Sequence, residues 1–270
     1  MLDGKKIGFI GGGNMAEAII KGLLAGGVQS GAIMVAEPVP LRRDFLSMEY
    51  SAEVSDDNLN VARQADIIIL AVKPQVAASV LTALEPVIAA DTLVISIMAG
   101  ISTHFIEKIL ANGVQVVRCM PNTPALIQCA ATALSPGRKA TDENLEIARE
   151  IFACVGIVVT VPEKQMDAVT GLSGSGPAYV FTFIEALADA GVKNGLPRDV
   201  AASLALQTVL GAAKMAVETG EHPALLRERV TSPGGTTIAA MHALENGRFR
   251  GLIMDAVSTA TERSKELAGK

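Results

Sequence analysis

The chain has 270 residues, of which half are hydrophobic and 19% charged, with a formal net charge of −5. That apolar content excludes a disordered chain, and the acidic balance argues against a nucleic-acid surface. At roughly 100–200 residues per domain the length predicts two domains.

Taken in chain order, residues 5–162 alternate short apolar runs with helical segments. The runs are Lys6–Ile10, Ile33–Ala36, Ile67–Val72, Thr92–Ile97, Val114–Cys119 and Ile157–Val161. Several are apolar at every position, as strands buried on both faces of a parallel sheet require. Thr103 opens a helical run that stops near Gly113, and Thr141 opens another that ends near Gly156. Polar caps in front and glycine behind are the expected punctuation. The alternation predicts a Rossmann-type doubly wound α/β parallel sheet over residues 1–162.

From residue 163 to 270 the β-runs vanish, which predicts an all-α C-terminal domain. Helices are expected over Ala178–Gly191, Asp199–Thr219, a short stretch from Pro223, a stretch ending near Ala243, and Phe249–Leu267. Asp199–Thr219 is apolar on nearly every face, which predicts burial. Part of that burial is expected against a second subunit, making a homodimer or higher homo-oligomer. No uninterrupted apolar run is read as approaching the ~18–20 residues of a spanning helix, and Glu185 and Asp189 break the longest helical-looking apolar stretch. The opening Met1, Asp3, Lys5 and Lys6 do not read as a signal peptide. Cys119, Cys129 and Cys154 form no CxxC pair, which favours a reducing compartment. The expectation is a cytoplasmic protein with no membrane or nucleic-acid partner. His104, His222 and His242 lack metal-ligand spacing, so no metal is expected.

The first chemistry-bearing pattern is Gly11-Gly12-Gly13-Asn14-Met15-Ala16 between the first strand and a helix. Gly11, Gly13 and Ala16 fit G-x-G-x-x-G/A. The glycines give a tight turn and close backbone approach, and the helix N-terminus offers free N–H groups to a pyrophosphate. The bland reading is a glycine-rich turn with no ligand. The strand-before, helix-after context favours a dinucleotide, NAD or NADP. Glu37 ends the second strand, where a carboxylate bonds the ribose 2′-hydroxyl of NAD and repels the 2′-phosphate of NADP. Arg42 and Arg43 follow and are read either as phosphate partners or as a solvated helix start.

The second pattern is Ser232-Pro233-Gly234-Gly235-Thr236-Thr237, which enters a helix. Its glycines leave backbone N–H groups accessible, making an anion nest for a small-molecule substrate carboxylate. The bland reading is an ordinary helix cap. Ser173 and Ser175 do not complete a G-x-S-x-G nucleophile elbow.

With the blocks Ala71-Val72-Lys73-Pro74-Gln75, Arg118-Cys119-Met120-Pro121-Asn122-Thr123-Pro124, Thr170-Gly171-Leu172-Ser173-Gly174-Ser175-Gly176-Pro177-Ala178-Tyr179 and the Ser232–Thr237 run, the sequence resembles the pyrroline-5-carboxylate reductases over nearly its whole length. The resemblance implies reduction of 1-pyrroline-5-carboxylate to L-proline by NAD(P)H and a helical dimerisation domain. It also implies that Gly11 to Met15 hold the pyrophosphate and that Asn58 contacts the adenosine end. Ala71, Val72, Lys73 and Pro74 would lie along the cofactor, with Ala99 and Gly100 near the nicotinamide and Asn122 at the next strand edge. Ser232, Gly234, Gly235 and Thr236 would bind substrate, and the Thr237 hydroxyl would serve catalysis at the imine nitrogen. Arg229 departs from the Asn or Gln that relatives often carry there.

Two rivals remain on the residues alone. One is another imine or 3-hydroxyacid reductase of the same architecture. Related hydroxyacid dehydrogenases place a Lys four residues after a comparable Gly-x-Gly, and here Val180 stands there. The other is a nonenzymatic dinucleotide sensor, which would not need the second nest.

Overall fold

The computed structural model describes residues 1–110 and 113–267. By contacts it divides into two compact units: residues 1–175 together with the C-terminal segment from 259, and residues 176–258. The sequence texture changes earlier, at residue 163. The later break has a physical reason, since the Ser264 hydroxyl donates to the buried Asp167 carboxylate at 3.0 Å and ties the last helix to the 163–175 segment.

In the first unit, β1 (Ile7–Ile10) leads to α1 (Asn14–Ala25), β2 (Ile33–Ala36), α2 (Pro40–Tyr50), β3 (Glu53–Ser55), α3 (Asn58–Gln64) and β4 (Ile67–Leu70). Then come α4 (Ala77–Leu84), β5 (Leu93–Ser96), α5 (Thr103–Leu110), β6 (Gln115–Met120), β7 (Ala130–Pro136), α6 (Asp142–Ala153) and β8 (Gly156–Thr160). The expected run of α5 toward Gly113 crosses 111–112, outside the described residues. The eight strands form one sheet in the order β3-β2-β1-β4-β5-β6-β7-β8. Its first six are the dinucleotide-binding order, with the reversal between β1 and β4.

The expectation of a wholly parallel sheet needs one correction, because β7 runs antiparallel to β6. A tight connection through residues 123–127, a 3₁₀ turn, reverses the chain without a crossover helix. The residues of β1, β2, β4 and β5 are buried throughout. Each fully buried aliphatic side chain there contributes about 1.5–3 kcal/mol. Thr141 accepts from the Asn144 N–H, and the Asn144 side chain accepts from the Thr141 N–H in return, closing a capping box at the head of α6.

After β8 the 163–175 segment holds a 3₁₀ turn (Glu163–Gln165), α7 (Met166–Val169) and a π-helical turn (Thr170–Gly174). The second unit is helical: α8 (Gly176–Lys193), α9 (Arg198–Thr219), α10 (Pro223–Arg229), α11 (Thr236–Asn246) and the start of α12 (Phe249–Leu267). Here the burial expectation fails for the single chain. In α9 only Ala201 and Ala205 are buried, while Leu204, Leu206, Leu210 and Val217 are exposed. Among the described residues α9 is also the one helix long and apolar enough, by length and composition, to cross a membrane, which corrects the reading that no run reached that length.

Candidate active site

The turn after β1 is shaped by close packing. Gly11 has φ +99°, and a Cβ there would lie 2.7 Å from the Ala71 carbonyl oxygen, so the turn is closed to any other residue. A Cβ on Gly12 would lie 2.7 Å from Leu46 of α2. Gly13 is the N-cap of α1 without a side-chain cap, and a Cβ there would meet nothing within 4 Å. Open space, an uncapped helix of 12 residues and a dipole aimed outward fit a pyrophosphate. Buried Ala16 packs α1 on the sheet, while Asn14 is exposed and Met15 half-buried at the helix start.

The other expected cofactor residues gather at the same carboxyl edge of the sheet. Ala71, Val72, Lys73 and Pro74 follow β4, with the Ala71 N–H donating to the Ile10 carbonyl at 2.9 Å. Ala99, exposed, and Gly100, buried, follow β5, and Asn122 follows β6. Asn58 opens α3 beyond β3, behind an N-cap in which the Asp57 carboxylate accepts from the Leu59 N–H at 2.8 Å. The Asn122 side chain is also a structural tie. Its amide donates to the Ser173 carbonyl and accepts from the Ala131 N–H, both at 3.0 Å. It therefore joins the β6–β7 connection to the π-helical turn.

Glu37 is buried at the end of β2, with each carboxylate oxygen accepting a backbone N–H at 2.9 Å, from Gly12 and from Val39. The two arginines are held by the protein rather than merely solvated, which corrects the reading of a solvated helix start. Arg42 donates to the Gly12 carbonyl at 2.6 Å and to Glu17 at 2.5 Å. Arg43 donates to the Glu37 and Pro38 carbonyls at 2.7 and 2.9 Å. Glu17 also accepts from the Tyr50 hydroxyl at 2.9 Å. Burial, aided by that bond and the Glu17 charge, pushes the Tyr50 phenol up to about 12. No sequence signal marked Glu17 or Tyr50.

In the helical unit the Ser232 carbonyl accepts from the Gly235 N–H at 3.1 Å, and Gly234 sits at φ +66° behind Pro233, as a type II turn requires. Gly235 is the N-cap of α11, with no side-chain cap bond. Thr236 and Thr237 are its first two residues, so both lie in its first turn. Ser232, Gly234 and Thr236 are exposed, and Gly235 and Thr237 are half-buried. A cleft of about 780 Å³ runs along it, lined by Gly234, Gly235, Ile238, Ala239, Met241 and His242, and Thr237 is not among its lining residues. Arg229 pairs with Glu221 through both terminal guanidinium nitrogens, at 2.6 and 2.7 Å.

The geometry has close counterparts among known proteins. The chain is 49% identical to the pyrroline-5-carboxylate reductase of Methanosarcina acetivorans over 271 residues, covering all of both chains. It is 50% identical to that of Synechocystis over 266 residues, covering 98% of this chain and 99% of the relative. The chain belongs to the pyrroline-5-carboxylate reductase family. Residues 163–267 match the family profile described as pyrroline-5-carboxylate reductase dimerisation, and residues 6–100 that described as NADP oxidoreductase, coenzyme F420-dependent. Among solved structures, a pyrroline-5-carboxylate reductase from Coxiella burnetii superimposes with TM-score 0.92 at 41% identity, covering 97% of this chain and 98% of that one. The Plasmodium falciparum pyrroline carboxylate reductase with NADP bound gives 0.89 at 33% identity, covering 98% and 99%.

Proposed function

We propose that this protein reduces 1-pyrroline-5-carboxylate to L-proline with NAD(P)H, the last step of proline biosynthesis, as a cytoplasmic homodimer or higher homo-oligomer. The observation that carries the reading is end-to-end identity of 49% to a pyrroline-5-carboxylate reductase. The geometry supports it, since the Gly11–Met15 turn opens at the strand reversal with an uncapped helix N-terminus behind it.

The reduced dinucleotide supplies the hydride. The chain's own residues bind and orient. Gly11, Gly12, Gly13, Asn14 and Met15 receive the pyrophosphate, and Glu37 faces the ribose. Asn58 and the Ala71–Pro74 and Ala99–Gly100 stretches line the rest, with Asn122 at the next strand edge. Ser232, Gly234, Gly235 and Thr236 hold the substrate carboxylate through the turn and helix N-terminus. The Thr237 hydroxyl bonds the ring nitrogen. A cyclic imine is protonated before hydride arrives, so no acid of the Lys type is needed at Val180. Residues 1–162 serve the cofactor, and 163–270 serve substrate binding and dimerisation.

The test is steady-state oxidation of NADH and NADPH with pyrroline-5-carboxylate and, separately, with a 3-oxo acid. Oxidation with the imine and formation of L-proline is the expected result. Turnover of the 3-oxo acid alone would install the hydroxyacid reading, and binding without any turnover the sensor reading.

A further inference from the structure

Both backbone polar groups of Gly12 are held from outside the turn. Its N–H is taken by Glu37 and its carbonyl by Arg42. The peptide that carries that carbonyl also carries the Gly13 N–H. There are no cis peptides among the described residues, and in a trans peptide the N–H points opposite to the C=O. Fixing the Gly12 carbonyl on the guanidinium therefore aims the Gly13 N–H away from α2, on the residue whose surroundings are open.

Arg42 is itself fixed. Its second arm is bound by Glu17 of the first turn of α1, and Glu17 is steadied by Tyr50 at the end of α2. The guanidinium also lies 5.0 Å from the centre of the Phe45 ring. A forked, planar cation suits two acceptors at once, whereas an ammonium is a compact point charge. Nε and Nη2 are thus committed inside the protein, and the Glu17 carboxylate already balances the guanidinium charge.

We propose that Arg42, held by Glu17 and Tyr50, is a positioning residue that sets the Gly12–Gly13 peptide to receive the pyrophosphate, and that it does not read the adenosine 2′-phosphate. This rests on the assignment of the Gly11–Met15 turn to the dinucleotide. The consequence is specific: losing Arg42 weakens NADH and NADPH alike, because both carry the pyrophosphate.

The test measures dissociation constants for NADH and NADPH by calorimetry on the full-length protein. It also measures amide hydrogen exchange over residues 8–18 without ligand. Arg42→Met is expected to raise both constants by about tenfold, the loss of one charge-assisted hydrogen bond. Their ratio should stay within about twofold of wild type, and exchange over the turn should quicken. Arg42→Lys should recover part of both affinities. Glu17→Gln keeps the shape of α1 and carries the same ratio criterion if Arg42→Met does not fold. Weakening of NADPH alone makes Arg42 a 2′-phosphate reader and overturns the proposal, as do unchanged constants for both. Wild-type protein that binds neither dinucleotide overturns the cofactor reading beneath it, an outcome told apart because in every other one the wild type binds.

Discussion

The two units solve the problem of burying apolar surface in opposite ways. In the sheet unit, β1, β2, β4 and β5 are buried along their whole length, and the core closes within one chain. In the helical unit α8, α9 and α11 leave Phe181, Leu204, Leu210 and Ile238 exposed. Surface of that kind marks an interface, and it coincides with the family's dimerisation region. The helical unit is thus the one whose helices stay largely uncovered in a single chain, and it is the one that matches the dimerisation profile.

The largest expected effect strikes the helical unit. Leu204→Asp places a carboxylate on the exposed apolar face of α9. Burying it unpaired costs several kcal/mol, so sedimentation velocity should show monomer where wild type shows a dimer or larger species. Next is Gly11→Ala in the sheet unit. A left-handed residue with a Cβ costs on the order of 1–3 kcal/mol. The added contact with the Ala71 carbonyl should deform the turn, weakening dinucleotide binding by more than about tenfold. Calorimetry reads this, and an unchanged constant would show that the turn does not hold the cofactor.

Thr237→Ala returns to the helical unit with a smaller loss. Removing one side-chain hydrogen bond at the reacting nitrogen should lower kcat/KM by about tenfold. Thr237→Ser should lose less, and dinucleotide affinity should stay put. A fall in Tm with intact kinetics would make Thr237 a cap residue. Glu37→Ser should shift the kcat/KM ratio toward NADPH by removing a negative charge from the ribose site. Because Glu37 also accepts the Gly12 N–H, absolute affinity for both dinucleotides should fall as well.

Much of the sheet unit was legible because its strands are β-branched and apolar throughout. The strands it hid were β3, three residues long, and β7, whose Ala130, Ala131 and Ala133 carry little β-signal. The antiparallel turn into β7 and the π-helical turn at Thr170–Gly174 have no local signature. Candidate residues on backbone motifs, Gly11–Met15 and Ser232–Thr237, were legible because turn geometry demands glycine. The role of Arg42 was not, since it depends on Glu17 and Tyr50 meeting it across two helices. In α9 the composition read correctly as apolar, but a single chain buries only Ala201 and Ala205 of it.

The smallest effect is alkaline. Tyr50 keeps its proton in the folded state up to about 12, above the ordinary phenol value near 10. A raised pKa contributes stability that is fully present below the unfolded value and lost as pH climbs through the folded one. Tyr50→Phe should therefore change the slope of Tm against pH between about 10 and 12 and leave the shape of the profile at neutral pH unchanged.

If the sheet unit of one chain binds the dinucleotide while reduction needs the helical unit paired, dissociating the protein separates the two activities. Dinucleotide affinity and pyrroline-5-carboxylate turnover, measured together on the Leu204→Asp monomer, test it most directly. Near-wild-type NAD(P)H affinity with turnover lost is the expected result. A monomer that turns over at the wild-type rate would contradict it.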